Sequence, residues 1–475
     1  MNGRISVLQP EAPPPQLSIG IVGGGFAGIC LALHLRRYAT EPIDIHIFEA
    51  GEHFGLGAAY EWRNASFLLN GEADHLSMYD AEPDGFVDWI SSSPGAVACF
   101  DPERPAHRQF MPRFLFSDYV LSMLNEALRE PDKASLMLHA KEAVEDCTLE
   151  NGCVGLQCSS GSRCMVDRVV LATGNEPPNS LRCGCEENCV ENPWEPEWTR
   201  RVPPGDVLLV GMGQTMIDAC IALGQSGHRG RLIAVSRRGV RTVSHRAEVN
   251  HWMIQETAFP SGLLEAVRFI REQIRIAEAQ GVHWSAVTDA SRPLTLHAWK
   301  KFSAAERRRY FEHLAPYWWG YRQRVAPKSG AQINHFLNTG YLEMHRGRLI
   351  SLRKCAECIE ATIRIREGSD IQFRVQTIVN CTGPNSNPSQ SANPLIRNLL
   401  RKDMICPHST NVGLDITDNH EVIDRSGRPS EHIFAIGALA RGAILEALAI
   451  RDIRRQSIVL TETLLRSPAL CLVPR

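Results

Sequence analysis

The sequence predicts an α/β chain made of two doubly wound, three-layer units, one set inside the other, with an additional helical insert. Three observations carry that expectation. A strand, a glycine turn, a helix and a second strand follow one another from Leu17 to Ala50. The same succession returns from Asp206 to Gly239. Two further apolar strands, VVLATGN at Val169–Asn175 and TIVNCTGPN at Thr377–Asn385, end in small-residue turns, as expected where a chain leaves one unit and re-enters it.

Taken in order, the first sixteen residues close on a proline run and read as a flexible leader. Leu17 to Leu35 carries no charge except for His34, which crudely resembles a membrane span. The glycines at 23, 24, 25 and 28 argue instead for a buried parallel strand turning into a packed helix. Residues 240 to 345 differ in character, being rich in Trp, His and Arg at helical spacing, and read as a helical insert over the second unit. His432 to Ser457 reads as strand, turn and long helix and is expected to close the first unit.

In GGGFAG the glycines at 23, 25 and 28 stand between an apolar strand and a helix, the context that a pyrophosphate site requires. Gly23 allows a tight turn, Gly25 lets the backbone approach phosphates, and Gly28 lets helix and strand pack closely. The helix N-terminus then offers amide donors and a positive dipole. Glu49, ending the next strand, is placed to accept hydrogen bonds from a ribose. These features predict a Rossmann-like dinucleotide site, for FAD in preference to NAD because a second site follows. Phe26, Ala27, Ala50, Gly57, Val144, Thr173, Gly174 and Gly437 are assigned to cofactor contact beside them.

The second turn, GMGQTM, keeps Gly211 and Gly213 ahead of Gln214 but has Met216 in the third glycine's place, which predicts looser helix packing. Its next strand ends in Ser236, Arg237 and Arg238 instead of an acid. Arginine at that point can hold a 2′-phosphate, which favours NADPH while leaving NADH open. The expected organisation is an FAD domain over 17–195 and 346–475, with an NAD(P) domain and its helical insert over 196–345.

Composition narrows the partners. Lys and Arg total 51 against 53 Asp and Glu, for a net charge of -2, so no global field favours nucleic acid or an anionic membrane. Fifteen cysteines without a regular framework predict free thiols and a cytoplasmic setting. Residues 50 to 80 hold no cysteine, which removes the usual place for a redox disulfide beside a flavin. Cys183, Cys185 and Cys189, and the CxxC of Cys355 and Cys358, read as uncoordinated thiols, and no metal site is expected. No HExxH or nucleophile elbow is present.

Several segments together resemble the bacterial two-dinucleotide-fold flavoproteins that include an FAD-dependent urate hydroxylase and the aspartate N-monooxygenases that form nitrosuccinate. They are GLGAAY at Gly55–Tyr60, FLLN at Phe67–Asn70, PDGFVDWI at Pro83–Ile90, FMPR at Phe110–Arg113, and SRRG. Downstream they are GVHWSAVTDASRP at Gly281–Pro293, ERRRYFEHLAPYW at Glu306–Trp318, RVAP at Arg324–Pro327, and FAIGALARG with Glu446 nearby. The resemblance runs from residue 17 to about 457. Two stretches depart from it, NGEADHLSM at Asn70–Met78 and FSDY at Phe116–Tyr119, both near the expected flavin face.

The resemblance implies an FAD-dependent monooxygenase that consumes NADPH or NADH and molecular oxygen and hydroxylates a small electron-rich substrate. Urate is the first expectation and the nitrogen of an amino acid the second. A reductase with the same cofactors and a non-catalytic flavin-binding protein are the alternatives from other classes. Tyr60, Asn70 and Arg113 are expected near the flavin edge, with Arg441 and Glu446 at the closing turn and helix. Arg113 as a phosphate ligand and Glu446 as a helix-pairing group remain the plainer readings of those two. The Trp-rich insert from Tyr317 to Arg324 walls a pocket or forms core. A homodimer is among the assemblies the sequence allows.

Overall fold

The computed structural model describes residues 16–130, 133–182, 184, 186–246, 251–365 and 368–466. The expected leader lies outside them except for Gln16, as do Cys183 and Cys185.

Strand Leu17–Val22 is the centre of a six-stranded sheet. Ile43–Glu49 and Arg168–Leu171 flank it in parallel, Ala134–Ala140 pairs outside the former, and Pro429–Ala435 pairs outside the latter. Glu421–Ile423 closes the edge antiparallel. A strand from the chain's last fifty residues thus completes the sheet begun at residue 17, as the split-unit expectation required. Helix Phe26–Tyr38 packs between this sheet and the final helix, Ile450–Arg466, with Ile29, Leu31, Leu33 and Leu35 all buried. Burial on several sides at once explains why its sequence lacks the polar stripe of a surface helix. Among the described residues no helix is long and apolar enough to cross a membrane.

The second sheet has seven strands around Val207–Val210, which lies between Leu232–Ser236 and Thr377–Asn380 in parallel register. The long strand Leu342–Lys354 pairs in parallel with Leu232–Ser236 over its first part. It then continues antiparallel into Ile359–Ile365 and Asp370–Val375. Cys189–Val190 forms the far edge. The boundaries expected at 195 and 345 therefore move outward, because every strand from Cys189 to Asn380 pairs in this second sheet. A comparable three-stranded meander, Val144–Glu150, Cys153–Cys158 and Arg163–Val166, covers the first sheet.

The two connectors between the sheets run side by side. Glu176 bridges Asn385, the Asn385 amide donates to the Pro177 carbonyl at 3.2 Å, and the Asn380 side-chain amide donates to the Asn179 carbonyl at 2.9 Å. The helical insert, from Leu263–Ala279 to Pro327–Asn338, leaves the second sheet after Leu232–Ser236 and returns at Leu342. It does more than cover that sheet. Trp299 is fully buried and its indole donates to the Gly442 carbonyl at 2.9 Å, so the insert is anchored on the segment that closes the first sheet.

Candidate functional site: two glycine turns and a charged junction

Each glycine turn has the shape its spacing predicts. Gly23 sits at φ +115°, and a Cβ there would lie 2.3 Å from the Ala172 carbonyl oxygen. A Cβ on Gly28 would lie 2.0 Å from the Gly23 carbonyl oxygen, so helix and turn are in direct backbone contact. At Gly25 the nearest atom to such a Cβ is the Gly57 Cα, 3.7 Å away. Gly25 is the N-cap of helix Phe26–Tyr38 and no side chain caps that helix. Uncapped first-turn amides with no neighbour closer than this fit a pyrophosphate, whose oxygens would take hydrogen bonds that no side chain among the described residues takes here.

Glu49 closes the other side of this cradle. Its Oε2 accepts from the Gly24 amide at 2.9 Å and its Oε1 from the Gly51 amide at 2.8 Å. A carboxylate oxygen has a second lone-pair direction, so ribose hydroxyls can add to these bonds. Ala50 follows at the exposed bend. Ala27 faces Gly437, whose φ is +72° and whose Cβ would lie 3.6 Å from the Ala27 Cβ. The half-buried Thr173 and the exposed Gly174 stand next to the Gly23 turn. Phe26 and Val144, by contrast, direct their side chains into the core, Phe26 against Phe116 with ring centroids 5.1 Å apart and Val144 in the cluster with Val22 and Phe48. Only their main chains can meet a ligand.

The second turn repeats the pattern. Gly211 has φ +121° and a Cβ would lie 2.1 Å from the Cys381 carbonyl oxygen. Gly213, the uncapped N-cap of helix Gln214–Gln225, has nothing within 4 Å of its Cβ position. Met216 is fully buried in the core with Cys220, so the third glycine is replaced by a packed side chain without loss of the turn. Gln214 donates to the Gln323 carbonyl at 3.0 Å and so ties this turn to the insert. At the basic strand end the Ser236 hydroxyl accepts from the Gly239 amide at 3.0 Å. Arg237 is exposed, and Arg238 donates to the Glu312 carbonyl with its guanidinium 5.7 Å from the Tyr317 ring centroid.

The five residues expected to do chemistry fall into two groups. Tyr60 and Arg113 lie on the side of the first turn, which the loop before Gly57 approaches through a Gly55 amide bond to the Gly24 carbonyl at 2.8 Å. Tyr60 packs on Phe116 at 5.4 Å, and burial pushes its phenol up to about 12. Phe67–Asn70 pairs with Phe110–Arg113, the Leu69 amide reaching the Met111 carbonyl at 2.8 Å. Arg113, expected near the flavin edge, makes a bidentate pair with Asp218 on helix Gln214–Gln225, at 2.7 and 3.1 Å. It joins the two glycine-turn units. Asn70 offers its carbonyl to His245 Nε2 at 2.9 Å, and burial brings the His245 imidazole down to about 4, so the ring is neutral and donates from Nε2.

Arg441 and Glu446 meet the insert at a charged junction. The Arg322 guanidinium lies 3.3 Å from Glu446, Arg292 lies 3.7 Å from Glu446 and 3.9 Å from Asp452, and Arg324 pairs with Asp289 at 2.6 Å. Burial pushes Glu446 up and drives Asp452 to about 7, helped by the like charge of Glu446. Among the described residues Arg441 has no carboxylate partner. It lies over the Trp319 ring at 4.2 Å, and burial lowers it to about 10. Beside it Tyr310, on a single π-helical turn, has its buried hydroxyl without a hydrogen-bond partner among the described residues. His245, Asp218, Arg292, Tyr310 and Trp319 were not singled out individually from sequence, and only the Trp-rich spacing of the insert hinted at the last.

Cys355 and Cys358 are free thiols at a strand turn, the Cys355 amide bonding the Cys358 carbonyl at 2.8 Å. Cys153 is disulfide-bonded, which departs from the expectation of free thiols. Among the described residues no group of three or more His, Cys, Asp or Glu is placed to hold a metal ion.

Comparison with known proteins agrees with this geometry. Residues 20–176 match the model of an FAD-NAD(P)-binding family. No curated protein matches the sequence. Among solved structures, the ornithine N-hydroxylase of Kutzneria sp. 744 aligns with 95% of this chain and 99% of its own, at a TM-score of 0.66 and 13% identity. The ornithine hydroxylase of Pseudomonas aeruginosa aligns over the same shares at 0.63 and 14%. The cadaverine monooxygenase of Erwinia amylovora covers 95% of both chains at 0.64 and 14%. The fold is thus shared with these hydroxylases and monooxygenases, and residues 20–176 are similar to an FAD-NAD(P)-binding family.

Proposed function

We propose that the protein is an FAD-dependent, NAD(P)H-consuming monooxygenase that hydroxylates the amino nitrogen of a small substrate bearing a carboxylate, an amino acid in the simplest case. The observation that carries the substrate class is Arg441, a half-buried guanidinium with no carboxylate partner among the described residues, held over Trp319 beside the unpaired hydroxyl of Tyr310. Around it, among the described residues, the guanidinium groups of Arg292, Arg322 and Arg324 pair with Asp289, Glu446 and Asp452, the last of which burial raises to about 7. Such a junction is short of negative charge, and a substrate carboxylate supplies it through charge-assisted hydrogen bonds. N-hydroxylases among the structures of the same fold support nitrogen over the carbon of urate.

The residues divide the work. Gly25 and the first-turn amides hold the FAD pyrophosphate, Glu49 its ribose, and Gly213 with Gln214 and Arg237 the nicotinamide nucleotide. Bound FAD supplies hydride acceptance and the activation of oxygen. Arg441 and Tyr310 fix the substrate carboxylate, while Trp319 and the buried Trp299 keep water from the junction.

The test is oxygen uptake by FAD-loaded protein with NADPH or NADH, across L-aspartate, L-glutamate, L-ornithine, cadaverine and urate. Stimulation by an amino acid with a hydroxylated amine as product supports the proposal. Stimulation by urate alone, or by cadaverine alone, contradicts it. Nucleotide oxidation without oxygen transfer to any substrate points to a reductase.

A further inference from the structure

The sequence placed a nucleotide-discriminating pair at Arg237 and Arg238, but the fold leaves only one of them free. The Arg238 guanidinium is taken up by the Glu312 carbonyl and the Tyr317 ring of the insert. Arg237 is exposed, with no hydrogen-bond or ion-pair partner among the described residues.

A third arginine stands at the same strand end. Strands Leu232–Ser236 and Leu342–Lys354 run in parallel, and their register sets Ser236 opposite Arg346. Both therefore emerge at the edge where Val235 meets the Gly211 turn, the Gly211 amide bonding the Val235 carbonyl at 2.8 Å. The turn after Ser236 then folds over the Arg346 stem. Gly239 has φ +64°, and a Cβ there would lie 2.9 Å from the Arg346 Cβ and 3.1 Å from its Cγ. Arg346 is exposed and likewise has no partner among the described residues. Two unpaired guanidinium groups, one from the turn and one from the neighbouring strand, flank the position where the ribose of a nucleotide on the Gly211 turn would end.

We propose that Arg346, with Arg237, forms the site for the 2′-phosphate of NADPH, and that Arg346 is the residue that makes the second nucleotide site prefer NADPH over NADH. A phosphate dianion takes two guanidinium groups well, each donating parallel N–H bonds to its oxygens. Arg238 then serves to dock the insert on the strand end and contributes little to discrimination. The inference rests on the assignment of the second glycine turn to a nicotinamide dinucleotide.

The test is equilibrium binding of NADP+, NAD+ and 2′,5′-ADP to the FAD-loaded protein, without turnover. For Arg346→Ala the expected result is at least a tenfold loss of affinity for NADP+ and for 2′,5′-ADP, with NAD+ affinity and FAD content unchanged. Arg346→Lys should recover part of the loss, since it restores the charge without the fork. Arg238→Ala should change the NADP+ to NAD+ ratio less than Arg346→Ala does. An unchanged ratio in Arg346→Ala, in a protein whose wild type favours NADP+, overturns this inference alone. Wild-type protein that binds neither nucleotide overturns the assignment of the second turn and the inference with it.

Discussion

Gly25 and Gly28 belong to one turn but guard different things. Gly28 has the Gly23 carbonyl 2.0 Å from where its Cβ would stand, whereas the nearest atom to such a Cβ at Gly25 is the Gly57 Cα, at an ordinary contact distance of 3.7 Å. Gly28→Val should therefore cost roughly 3 kcal/mol or more and fail to yield folded protein, because backbone must move. Gly25→Val should fold with a melting temperature near that of wild type yet purify without FAD. Retained flavin in folded Gly25→Val, read from the visible absorption spectrum, would contradict the assignment of the first turn. These glycines were legible in the sequence because their constraint is local, set by a turn of a few residues. The isolation of Arg441 was not, since it depends on Trp319 and Tyr310 arriving from more than a hundred residues away.

Between elements, the pair of Arg113 and Asp218 is the clearest case of a contact that the sequence did not show. Arg113 begins helix Arg113–Arg129, where the helix dipole disfavours a cation, and Asp218 on helix Gln214–Gln225 offsets that cost while linking the two units. A motif fixes which residue stands at a helix start but not which partner from another unit reaches it. Removing either partner should cost about 1–3 kcal/mol, the range for charge-assisted hydrogen bonds that are partly buried. A double-mutant cycle on Arg113→Ala and Asp218→Ala, followed by thermal unfolding, should show coupling. Additive losses would mean that the two groups act independently. The boundary at 345 failed for a related reason: alternating strands such as Ile359–Ile365 show their period but not the sheet they join.

For the whole molecule, buried titrating groups give opposing pH trends. Asp452 rises from an ordinary 3.8 to about 7, so between pH 4 and 7 the folded state keeps a proton that the unfolded chain releases, and stability falls as pH rises. His245 drops from 6.5 to about 4, so over that window the unfolded chain binds the extra proton and stability rises with pH. Asp452→Asn should abolish the first trend and leave the second, giving a melting temperature that climbs more steeply from pH 4 to 7 than in wild type. An identical pH profile in the two proteins would show that Asp452 ionises normally. Glu446, Arg292, Arg322 and Arg455 act on the same carboxyl. The junction joins the insert to the closing segment, which makes its pH response a property of the assembled chain. The sequence made both nucleotide folds and the insert visible, because periodicity and glycine turns are local; it left this junction hidden, because charge pairing at a distance has no spacing rule.

The decisive measurement is substrate-dependent oxygen uptake, with product analysis by mass, in wild type and Arg441→Ala. The expected result is uptake stimulated by an amino acid, a product heavier by one oxygen on its nitrogen, and a KM raised about tenfold or more in Arg441→Ala with FAD retained. Amino-acid-independent oxidation of the nicotinamide, or an Arg441→Ala enzyme with unchanged KM, would contradict it.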